Sequence, residues 1–147
     1  MTKSRGKRCR GGSALEMAFF MPWYIFLFVG VYDWGFYAHA MISTASAARV
    51  AAIYTSTNAT TQADSTMACT YALEELRIAP NIGTSMTTCN ALPVIVTATA
   101  KTGVQSADGQ AASEVAVTYQ TNQLIPIPGL LKAQHTFYRV VQMRLRS

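Results

Sequence analysis

A carboxylate stands in this chain where carboxylates are expensive. Glu16 follows the pair Gly11-Gly12 and sits near the start of an apolar run, Ala14 to Val31, that holds no other charge. A charge at the centre of a bilayer costs roughly 2.5–3.5 kcal/mol on insertion scales and more in simulations. A chain that keeps one there is expected to use it. Asp33 lies 17 residues further on. At about 1.5 Å per residue that is roughly 26 Å of helix, close to the far face of a bilayer. There Asp33 is either an interfacial charge beside Trp34 and Tyr37 or a contact to another subunit.

The three cysteines divide by compartment. Cys9 belongs to the basic opening of the chain, whereas Cys69 and Cys89 lie beyond the apolar run. Disulfides form and persist on the oxidising side of a membrane, so Cys69 and Cys89 are expected to pair. There is no CxxC and no Cys/His cluster at metal-ligand spacing. His39 and His135 are far apart and lack a third ligand. Glu74 and Glu75 are sequence neighbours that point in different directions on a helix, a poor acid–base couple. With Arg77 they read as a solvated face. Gly11-Gly12 follows no strand and does not fit a phosphate loop. No catalytic residue, no metal site and no cofactor is therefore expected, and the chain does not read as an enzyme.

Charge is distributed unevenly. Lys3, Arg5, Lys7, Arg8 and Arg10 precede Gly11 with no acid among them. They account for the whole net charge of +5, because the remaining seven basic residues face seven acids. A nucleic-acid surface needs cations clustered on the folded part, and here they are spread thinly. A basic leader directly before a hydrophobic span fits the positive-inside pattern instead. Only 13% of residues are charged, about half the usual share of ~25%. A membrane segment and a Ser/Thr/Ala-rich remainder explain the deficit.

The 147 residues have room for one modest domain. Residues 1–11 form the basic leader. Residues 12–57 read as one long helix, a membrane span followed by a stalk, with Pro22 kinking or locally opening it. Along the stalk, Ile42, Ala45, Val50 and Ile53 are expected on a packing stripe, with alanines allowing close approach. Residues 58–147 read as a small α+β head. Asp64-Ser65-Thr66 offers caps for a helix of roughly Thr66 to Ile78, ended by Pro80-Asn81-Ile82-Gly83. Alternation around Val94–Thr99, Val115–Gln120 and Phe137–Leu145 predicts three antiparallel strands. Lys101 to Gln110 should link the first two, and a Pro126-, Pro128- and Gly129-containing loop should precede the third. The fold class is α+β.

The order Arg10-Gly11-Gly12-Ser13-Ala14-Leu15-Glu16, Pro22, Tyr32-Asp33-Trp34-Gly35-Phe36-Tyr37 and Ala47-Ala48-Arg49 resembles the TadE-like family. These are pseudopilins of the tight-adherence, or Flp-type, pilus machinery. The resemblance covers about the first third of the chain and departs at Phe36, where relatives usually carry Arg. It implies a type IV pilin-like fold and cleavage by a prepilin peptidase between Gly11 and Gly12, which makes Glu16 the fifth mature residue, in preference to a cut after Gly12, which would make it the fourth. Cleavage would remove the leader cations and create an α-amine. Glu16 of one subunit can neutralise that amine on a neighbour in a low dielectric.

The function expected is a structural, non-catalytic subunit of a pilus or secretion fibre. It would sit in the inner membrane with its N-terminus cytoplasmic and its head periplasmic or extracellular. Its partners would be other pilin-like subunits, the prepilin peptidase, platform proteins and membrane lipid, and not nucleic acid. Two alternatives stand beside it. One is an uncleaved single-span anchor with a partner-binding head. The other is a secreted protein cut at Ala38-His39-Ala40 or Ala45-Ser46-Ala47.

Overall fold

The structure is a computed structural model and describes residues 12–79, 81–106, 108–122 and 134–146. The leader with Cys9 and Gly11, and the loop with Pro126, Pro128 and Gly129, lie outside the described residues. Helix α1 spans Gly12–Thr55 and α2 spans Ser65–Leu76. Strands β1 (Asn90–Ala91), β2 (Val94–Gly103), β3 (Gly109–Gln120) and β4 (Thr136–Arg144) follow. They pair antiparallel in one sheet, in the order β1-β2-β3-β4. This is the α+β class read from the sequence. Contacts divide the chain into two compact units, Met1–Phe36 and Tyr37–Ser147.

The described part of the first unit is helical throughout. Pro22 lies inside α1, and helix continues on both sides of it. Its ring nitrogen has no N–H to offer the carbonyl of Ala18, an omission that helices in lipid tolerate. Leu15, Phe19, Phe28, Val31 and Trp34 are all well exposed. A helix that is apolar all round needs an apolar surrounding. α1 is long and apolar enough to cross a membrane once.

In the second unit the core is built around alanine. Ala47, Ala48, Ala51 and Ala52 are fully buried, with Ala40, Thr44 and Thr55 completing the stripe. Ile42 and Ile53, expected to pack, are instead 70% and 43% exposed. The reason is steric. A face of small side chains lets neighbouring backbone come close, and the bulkier aliphatics are left beside the contact. The threonines satisfy themselves locally: Thr44 donates to the carbonyl of Ala40 (2.7 Å) and Thr55 to that of Ala51 (3.0 Å). Ala68, Ala72, Leu73 and Leu76 of α2 and Val94, Val96, Val115, Val117 and Tyr119 of the sheet fill the rest of the core.

Helix α2 begins where its cap dictates. Asp64 Oδ1 accepts hydrogen bonds from the amides of Thr66 (2.9 Å) and Met67 (3.0 Å), two donors without helical partners. The β2–β3 hairpin is tighter than the sequence suggests. Lys101 and Gly103 still belong to β2, and Gly109 already belongs to β3. The expected linker thus shrinks to a turn. Gly103 (φ 58°) and Gly109 (φ 74°) flank it in the left-handed region that glycine enters freely. The short strand β1 was not legible in the sequence.

Polar side chains fasten the connecting segments to the sheet. Gln62 donates to the carbonyl of Ala112, and Ser113 Oγ lies 2.8 Å from Thr55 Oγ1 and 2.9 Å from the carbonyl of Gln62. Tyr119 donates to Asn81 Oδ1 (2.6 Å), and burial pushes its hydroxyl pKa up. The Cys69–Cys89 disulfide is present, with Cα atoms 5.7 Å apart, joining α2 to the segment before β1.

Candidate assembly surface

Gly12 is the first residue of α1 and is exposed, and a Cβ there would meet nothing within 4 Å. Glu16 is also exposed and follows one helical turn later. A spacing of four puts both positions on one face, about 6 Å apart along the axis. Gly11, the other side of the expected cut, lies outside the described residues. On the same helix Ala14 and Ala18, with Met17, Met21 and Tyr24, line an apolar concavity of about 570 Å³. A second, of about 290 Å³, surrounds Gly30 between Phe26, Leu27, Val31 and Trp34. Small residues at such spacings let another helix approach closely.

Asp33 is 3% exposed, and among the described residues its Oδ2 has no hydrogen-bond partner. Its neighbour Trp34 is 75% exposed. A buried carboxylate oxygen without a donor is costly.

In the second unit four charged groups form local pairs. Lys101 Nζ lies 3.3 Å from Glu114 Oε1, and Arg144 lies 2.9 Å from Asp108 Oδ2. The amide of Gln110 above all, then the hydroxyl of Ser106 and the charge of Arg144, hold the Asp108 pKa below the usual carboxylate range. Glu75, expected on a solvated face, lies 3.5 Å from the hydroxyl of Ser46. His39 is in hydrogen-bond contact with Ser43 at 3.3 Å, and His135 meets the ring of Tyr37 edge-on at 4.5 Å. Among the described residues no three His, Cys, Asp or Glu side chains converge as metal ligands.

Sequence reasoning did not single out the outer edge of β4. The signal was available in composition, since the segment from Thr136 to Arg146 carries three arginines and no acid. That β4 lies at the margin of the sheet, however, is set by the order of strands.

The comparisons with curated proteins and with solved structures give no match. A family model described as TadE-like protein does match, over residues 11–52, which is less than a third of the chain. The matched segment contains Gly12, Glu16, Pro22, Asp33 and the alanine stripe. Over this N-terminal segment the chain is similar to TadE-like proteins.

Proposed function

We propose that this chain is a pilin-like subunit associated with a Tad, or Flp-type, pilus or secretion fibre. The observation that carries the reading is the TadE-like match over residues 11–52, which includes the exposed apolar first part of α1. The leader is cut between Gly11 and Gly12 by a prepilin peptidase on the cytoplasmic side. α1 then holds the subunit in the inner membrane and passes sideways into an assembly, with the second unit on the periplasmic or outer side. The role is structural and not catalytic. Glu16 supplies a carboxylate for the new α-amine of an adjacent subunit, and Asp33 supplies a second carboxylate on the same helix. Other pilin-like subunits and the platform proteins are the partners.

Intact-mass measurement of membrane-extracted protein tests this. A mature chain starting at Gly12 is the expected result. A chain starting at Met1 is a permanent anchor, and one starting near Met41 is a secreted protein. Either result overturns the proposal.

A further inference from the structure

Among the described residues nothing pairs with the outer edge of β4, and its charge restricts what can pair with it. Thr121 N donates to the carbonyl of His135 (2.9 Å) and Leu145 N to that of Ala111 (3.0 Å). These contacts continue the β3–β4 register beyond both ends of the ladder. Hydrogen-bonded pairs alternate along an antiparallel ladder. The odd-numbered residues of β4 therefore bond to β3, and Tyr138, Val140 and Gln142 turn their N–H and C=O groups outward. Among the described residues nothing hydrogen-bonds those groups.

The opposite margin of the sheet is covered from Val94 to Ala98. Val96 N donates to the carbonyl of Cys89 (3.0 Å), Ala98 N donates to Ser65 Oγ (3.1 Å), and β1 pairs with Val94 and Ile95. On the β4 side, closure comes only past the strand, where Arg146 N donates to the carbonyl of Ser56 (3.0 Å). Tyr138 and Val140, on the sheet face turned from the core, are 61% and 42% exposed. An open, apolar edge of this kind is a template for another strand.

Charge selects the occupant. Arg144 is matched by Asp108, while Arg139 and Arg146 have no ion pair among the described residues. A second copy of β4 would bring more arginine to an edge that has no acid. Like charges across a strand pair repel, and such charges guard edges against self-pairing. Nor can this chain supply an acidic strand. Its acids lie in α1, lie in or cap α2, or are already paired with Lys101 or Arg144.

We propose that β4 is a strand-addition site for an extended, acid-bearing segment of a different protein. The incoming backbone pairs with Tyr138, Val140 and Gln142. Its acids alternate on the side of Arg139, and its apolar residues lie beside Tyr138 and Val140. This site does not depend on cleavage of the leader or on membership of a fibre.

The test is amide hydrogen exchange on the full chain in nanodiscs, with a blocked seven-residue peptide of alternating Glu and Val, and with its Lys/Val counterpart. The Glu peptide should slow exchange at Tyr138, Val140 and Gln142 by about tenfold or more and leave Arg139 and Val141 unchanged. The Lys peptide should do nothing. Arg139→Glu should abolish the response to the Glu peptide. Val140→Pro should do the same, because it removes an outward N–H and keeps the bonds to β3. If Val140→Pro unfolds the sheet, Arg139→Glu alone decides. Three results overturn the proposal: equal protection by both peptides, outward amides already protected without peptide, or protection that rises with the chain's own concentration.

Discussion

Replacing both Cys69 and Cys89 by alanine should weaken the second unit by an amount that can be worked out beforehand. The two residues are 20 apart in sequence. In the chain-entropy account a bridge closing a loop of about 20 residues restricts the unfolded chain by about 3 kcal/mol. That is roughly a hundredfold or more in the folded-to-unfolded ratio, a large part of the ~5–15 kcal/mol that holds a typical domain. Alanine is the right replacement, because Cys69 and Cys89 are 6% and 2% exposed and a serine would bury an unmatched hydroxyl. The assay is urea unfolding of micelle-held protein followed by tyrosine near-ultraviolet circular dichroism. Tyr54 and Tyr71 stack at 3.7 Å and Tyr119 is buried, so their signal reports on this unit. With an m-value of about 1.5–2 kcal/mol per molar, the midpoint should fall by about 1.5–2 M urea. A fall of less than about 0.5 M with unchanged slope would refute the reasoning, since the bridge would then not be limiting the unfolded chain. Free thiols at both positions in protein taken from the oxidising side would refute it as well.

Two further perturbations address assembly and acid response. Glu16→Ala and Glu16→Gln should leave the second unit folded and the leader cut, yet reduce co-purification with sheared fibres or partner subunits, because neither side chain can balance an amine's charge. Variants that co-assemble like the parent would reduce Glu16 to an interfacial residue. Acidification should loosen the β2–β3 turn. The folded-state pKa of Asp108 lies below the ordinary 3.8, so its contribution is present above that value and is lost as the pH falls through the folded pKa. Exchange at the Gln110 amide, followed below pH 3.8, should rise in the parent and show no such step in Asp108→Asn.

What was legible in the sequence was whatever is decided locally. Asp64 announced α2 because an N-cap acts within one turn. β2, β3 and β4 announced themselves by alternation, which one buried face imposes. The packing stripe of α1 was misread where both faces are apolar. Ile42 looks more buried than Ala47 by hydrophobicity alone, and only the closeness of the neighbouring elements reverses the order. β1 has two residues and no alternation to find. The hairpin was read too long because Lys101, Gly103 and Gly109 have loop-like composition, while the ladder recruits them from across the strand. At the candidate site Glu16 stood out through its cost in an apolar run. The outer edge of β4 did not, since the order of strands depends on contacts far apart in sequence.

The alanine stripe constrains how this chain can vary. Ala47, Ala48, Ala51 and Ala52 have no exposed surface, and an alanine freezes no rotamers when it is buried. The packing there is achieved with almost no loss of side-chain freedom, but it leaves no slack either. A larger residue at any of these four positions must push neighbouring elements apart, at about 1–3 kcal/mol per site, and glycine would weaken the helix by roughly 1 kcal/mol. Ile42, exposed a turn away, has no such restriction. Mutational drift along this helix is thus permitted on one side and nearly closed on the other. The closed side is the one made of the plainest side chains.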